Sequence, residues 1–237
     1  MFFNSEKFDF WKIYERIIKF YPIGISRENP LFYETYPGRK DFVELLVENI
    51  HNHRNFNNRW ASFDKKIKKQ TYKKVIGTIY GQCPSFNSYI ELEKKSKSGF
   101  TQLKEVHYFV SLIGDFYTII GEYRNELTEC KNKFRTTNYL VASPENEYAE
   151  TFNLLSQLIE ETFQNYKFVL FDICGQKLLG LDARDALEKY DTIFSALFNS
   201  QINFNNRILG NQFYKSEDWI KQGYVDTRSN WIIYPPE

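Results

Sequence analysis

Apolar residues recur at helical spacing over the first third of the chain. Phe10, Tyr14, Ile17, Ile18 and Tyr21 form one stripe, which predicts a helix over residues 6–20 after a cap at Asn4 or Ser5. Pro22, Gly24, Pro30, Pro37 and Gly38 mark the loop that follows. Phe42, Leu45, Leu46 and Ile50 predict a second helix over residues 41–52, and Trp60, Phe63 and Ile67 a third. From Lys73 the period falls to two. KVIGTIYG and SYIELEKK predict strands joined by a turn around Pro84. VHYFVSLIGDFYTIIGEYR predicts a hairpin turning at Gly114-Asp115, with Gly114 at positive φ in a two-residue turn, and NYLVA (138–142) adds a strand. Ser143 is the expected cap of a further helix, with Pro144 first and Glu145 and Glu147 in the first turn. Its buried stripe is Tyr148, Phe152, Leu155, Leu158, Ile159 and Phe163. KFVLFDI (167–173) reads as a short strand, DARDALEKYDTIFSALFNS as a whole or broken helix, SEDWIKQ as a helical turn and WIIY as a closing apolar run.

This order predicts the α+β class: N-terminal helices, a central antiparallel sheet with hairpins, and C-terminal helices. No repeat or long linker divides the chain, so one domain over 1–237 is expected. Hydrophobic residues at 42% and charged residues at 26% suffice for a packed core. Aromatics reach 18%, and tyrosine in particular suits surfaces that meet other proteins.

A net charge of +1 gives no global field for nucleic acid or membrane. Cys83, Cys130 and Cys174 are odd in number and widely spaced, which fits a reducing cytoplasm rather than a disulfide framework. Glu6, Lys7, Asp9, Lys12, Glu15, Arg16 and Lys19 interrupt every early apolar run, so no signal peptide is expected. No window approaches the ~20 apolar residues of a membrane span.

Charge is nevertheless segregated. Arg54, Arg59, Lys65, Lys66, Lys68, Lys69, Lys73 and Lys74 face only Asp64 in segment 54–74, interleaved with Trp60 and Tyr72. Lysines on phosphates and aromatics on bases would bind nucleic acid; a solvated helix face needs no ligand and is the preferred reading. The second half is acidic. Glu145, Glu147, Glu150, Asp182 and Asp185 are the candidate surface for a basic protein partner.

Chemical motifs are sparse. His51 and His53 lie two apart, on different faces of a helix, with no cysteine or aspartate beside them. Cys83 or Cys174 could pair with His107 as a nucleophile, yet no nucleophile-elbow glycine pattern surrounds either, and both read as small buried hydrophobes. Asp172 follows an apolar run but lacks a second acidic residue or a glycine-rich loop. The expectation is therefore no metal, no cofactor and no catalytic centre.

The order of YPIG (21–24), the hairpin VSLIGDFYTIIGEY, the helix ETFNLLSQLIEETFQNYKFV and the closing YDTIFSALFNS resembles immunity proteins of bacterial polymorphic-toxin and type VI secretion systems. The resemblance spans most of the chain and carries over no functional residue. It implies a cytoplasmic α+β protein that occludes a cognate toxin stoichiometrically. A nucleic-acid-binding accessory protein using 54–74, and an enzyme around Asp172, Cys174 and His107, are the alternatives.

Overall fold

In the computed structural model, which describes residues 4–78, 83–130, 133–183 and 191–225, helices give way to a sheet where the period changes. Helix α1 (Trp11–Phe20) buries Ile13, Ile17 and Phe20. It starts later than its apolar stripe suggests, because the Asn4 side chain accepts the Glu6 and Lys7 N–H groups in a separate turn. After α2 (Pro30–Glu34), α3 (Pro37–Leu46) opens on Pro37 and continues as a π turn, Val47–His51. Gly38 lets α3 meet α1 backbone to backbone: a Cβ there would lie 1.7 Å from the Lys19 carbonyl oxygen. The next rod comprises α4 (His53–Phe56), a π turn (Asn57–Ala61) and α5 (Ser62–Thr71), and ends at Tyr72 in the left-handed conformation.

The sheet begins with β1 (Lys74–Gly77), β2 (Ser85–Lys97), β3 (Phe100–Ser111), β4 (Phe116–Cys130) and β5 (Lys133–Val141), each antiparallel to the next. The two-residue turn is Ser98-Gly99, with φ of 45° and 80°, joining β2 to β3. The turn expected at Gly114-Asp115 is wider, and Gly114 does not take positive φ. That position needs glycine for room: a Cβ would sit 2.5 Å from the Phe116 ring.

Helix α6 (Ala149–Thr162) buries the predicted stripe, but Ser143 does not cap it. The Ser143 hydroxyl accepts the Asn211 N–H (2.7 Å) and donates to Glu145 (3.0 Å); the chain enters α6 through a 3-10 turn, Asn146–Tyr148. The sheet is mixed, not wholly antiparallel. β5 stops opposite Gly121, so Phe116 and Tyr117 have no neighbour on that side until β6 (Lys167–Phe168) returns parallel to them. β6 is all that forms of the strand expected over 167–173; α7 (Phe171–Cys174) follows at once. α8 (Ile193–Leu197) is capped by the Thr192 hydroxyl, and β7 (Arg207–Leu209) pairs parallel with β5 at the edge. A 3-10 turn, Ser216–Trp219, stands where SEDWIKQ predicts one. The WIIY run lies outside the described residues.

Both faces of the upper sheet are covered. On one, Trp60 stacks on Phe86 (5.1 Å, 11°) and meets Tyr108, while Tyr117 bonds Ser156 of α6. On the other, Phe109 packs on Phe194 and Phe198. Among the described residues, no helix is long and apolar enough to cross a membrane.

Candidate functional site

The strands outrun their cover. β2 is buried over its first residues and exposed over its last four, and β3 runs from an exposed Phe100 to a buried stretch starting at Glu105. The distal sheet therefore projects beyond the helices. Alternation and register set Phe100, Lys104, Tyr123, Leu127 and Tyr139 on the α6 face. Phe100 and Leu127 are opposite one another and 41% and 45% exposed. Tyr123 lies against Tyr139 (5.8 Å) and accepts a hydrogen bond from Gln102 (2.7 Å). Lys104 sits between Glu93 (3.3 Å) and Glu147 (2.5 Å), which raises its pKa and lowers that of Glu147.

The opposite face carries a denser constellation. Glu105 and Glu122 are register partners on β3 and β4, and His107 lies two residues along β3 on the same face. His107 Nε2 is 3.5 Å from Glu105 Oε2 and 3.4 Å from Glu122 Oε2. Neither His107 nitrogen has a hydrogen-bond partner of good geometry. Tyr89 stacks on the ring at 5.1 Å and Phe109 lies parallel to it, so its orientation is fixed. Burial disfavours the imidazolium, but the two carboxylates outweigh it and raise the His107 pKa. Burial likewise opposes ionisation of Glu122, and His107 overrides it, lowering that carboxyl. Arg124 approaches Glu105 at 3.8 Å.

No family model matches this chain. Comparison with curated proteins and with solved structures likewise finds no match, so geometry alone carries the site.

The predicted acidic residues divide. Glu145, Glu147 and Glu150 stand at the start of α6 beside the distal sheet; Glu145 and Glu147 line a hollow of about 210 Å³ with Lys104 and Tyr123. Asp182 instead accepts the Ser26 hydroxyl (2.9 Å) and the Arg27 N–H (2.8 Å), fastening the loop before α2. No bond among the described residues links it to the other three, and Asp185 lies outside the described residues.

The other candidates are dispersed. Asp172 accepts a hydrogen bond from Gln176 (3.1 Å). Cys174 is fully buried, which pushes its thiol pKa up, and its sulfur contacts Thr118 and Val169. Cys83 is buried as well. Neither His107 nitrogen is hydrogen-bonded, so among the described residues neither cysteine is paired with it. His51 and His53 are exposed. In the basic segment Trp60 is wholly buried, leaving Tyr72, 92% exposed, as the aromatic open to a base.

The expectation of no metal ligands weighed only the spacing of histidines and cysteines. Glu105, His107 and Glu122 each place a ligand atom within 4.8 Å of the others. The legible part was Glu-x-His in a strand, which sets both side chains on one face; Glu122 needed the register across 112–115.

Proposed function

We propose that this chain is a partner-binding protein that neutralises a toxin by stoichiometric occlusion, with the α6 face of the distal sheet as its contact surface. One observation carries the proposal: four strands project past the helical cover, with Phe100 and Leu127 exposed beside Tyr123 and Tyr139. Rigid aromatic and aliphatic side chains on a preformed sheet are good anchors for a protein interface. Glu145, Glu147 and Glu150 form an acidic rim that would hasten encounter with a basic partner. Asp182 is withdrawn from that surface by its own loop. The toxin as partner rests on the resemblance to immunity proteins. The reading is of a cytoplasmic protein, and the buried free thiol of Cys174 agrees with it.

The nucleic-acid alternative is weakened by burial of Trp60, which removes one of its two aromatics. The test is to seek a toxin among the products of the neighbouring genes and to titrate it with this chain. Inhibition saturates at an equimolar ratio, and Phe100→Asp with Leu127→Asp abolishes it while the unfolding midpoint holds. Protection at far below one equivalent would point to turnover instead. Undiminished inhibition by the double variant would remove the distal sheet from the interface.

A further inference from the structure

We propose that Glu105, His107 and Glu122 form a binding site for a zinc-class divalent cation, clamping β3 to β4 where the sheet leaves its cover. The first ground is distance. Nε2 of His107 stands 3.5 and 3.4 Å from one oxygen of each carboxylate. These separations are long for charge-assisted hydrogen bonds, which run at about 2.7–2.9 Å. Two ligands that each hold a tetrahedral ion at about 2.0–2.1 Å lie about 3.3 Å apart, close to the spacing here. The second ground is burial without satisfaction. His107 is 8% exposed; Nδ1 has no hydrogen-bond partner, and Nε2 meets the two carboxylates only at ion-pair distance without good hydrogen-bond geometry, a costly state for a polar group out of water.

The third is charge. Glu105, 5% exposed, and Glu122 face each other across adjacent strands. Arg124 approaches Glu105 at 3.8 Å and acts on Glu122 only from a distance; among the described residues no lysine or arginine forms an ion pair with Glu122. A divalent ion would neutralise both carboxylates and give Nε2 a partner. The fourth is preorganisation: all three side chains stand on paired strands, and Tyr89 and Phe109 hold the ring. Imidazole and carboxylate ligands without thiolate suit zinc or cobalt, with a further position left for water. The site is independent of whatever binds the opposite face.

The test uses the full chain after chelator treatment, titrated with cobalt(II) and then zinc. Wild type takes up one cobalt per chain with visible bands of tetrahedral intensity, zinc displaces it, and zinc raises the melting temperature. Glu122→Gln and His107→Gln lose the bands and the thermal shift, whereas His51→Ala with His53→Ala keeps both. No saturable uptake by wild type, or uptake that survives Glu122→Gln, overturns the proposal. If those variants do not fold, imidazole resonances of the wild type decide. The chain has three histidines. Zinc that shifts His107 alone supports the site; zinc that shifts only His51 and His53 overturns it, leaving His107 as an imidazolium between two carboxylates.

Discussion

Replacing Asp64 by asparagine should reverse its effect on stability between acid and neutral pH. Asp64 stands in the first turn of α5 and faces the sheet, where Tyr108 donates to one of its oxygens at 2.6 Å and Ser88 to the other at 2.7 Å. Burial pushes its pKa from 3.8 up to about 6, more than these two hydrogen bonds pull it down. A raised carboxyl pKa means that the fold prefers the protonated acid. Its contribution is thus present below pH 3.8 and lost as pH rises through about 6. The gap corresponds to ~3 kcal/mol in full, of which about 2 kcal/mol accrues between pH 4 and pH 7. Asparagine carries no charge to desolvate but retains one acceptor oxygen, so it forfeits about 1 kcal/mol of hydrogen bonding. Asp64→Asn should therefore be slightly less stable than the parent at pH 4 and more stable at pH 7. Urea unfolding of both proteins at four pH values measures the difference, in which other titrating groups cancel. A difference that stays constant from pH 4 to pH 7 would refute the reasoning, since Asp64 would then titrate alike folded and unfolded.

Three further outcomes are expected. Gly38→Ala should unfold the protein or cost more than ~3 kcal/mol by denaturant titration, because backbone cannot yield to a Cβ 1.7 Å away. Gly114→Ala should cost ~1–3 kcal/mol through its clash with the Phe116 ring, and adding Phe116→Leu should recover part of the loss; a double variant no better than the single would implicate the backbone instead. Changing Lys65, Lys66, Lys69 and Lys73 to glutamine should leave the unfolding midpoint within ~1 kcal/mol, and wild type should not bind RNA at ~150 mM salt by fluorescence anisotropy; binding that the variant loses would make the segment functional.

The helices were legible where one buried face dominates. Trp60, Phe63 and Ile67 are all buried as their spacing implies, and so is the α6 stripe from Tyr148 to Phe163. In the first helix the buried face is slightly rotated from the apolar stripe: Tyr14 and Ile18 are half-buried, and Ile13 and Phe20 take the core. One strand and one turn differ from expectation for local reasons. KFVLFDI is apolar throughout, which length cannot separate from a buried helical turn, and tertiary pairing admits only Lys167 and Phe168 as strand. Ser98-Gly99 sits in a polar run, so its turn was overshadowed by the Gly-Asp flanked by hydrophobic residues. Only the Glu105-x-His107 half of the candidate metal site was legible, because Glu122 joins it across a loop and both glutamates look like ordinary solvent-facing ones.

The projecting sheet also has an outer edge. β1 pairs with β2 only as far as Glu91, and a register shift follows between Glu91 and Glu93. Beyond it, among the described residues, β2 is flanked on one side alone, by β3. Bare strand edges recruit further strands, and a long flat one would template fibres. Here the edge is kinked by the irregularity and then set with Lys94, Lys95 and Lys97. A second copy aligning on it would bring ammonium groups together along the whole join. The lysines at this rim thus act as insulation, disfavouring edge-to-edge pairing of long strands that stand clear of the core.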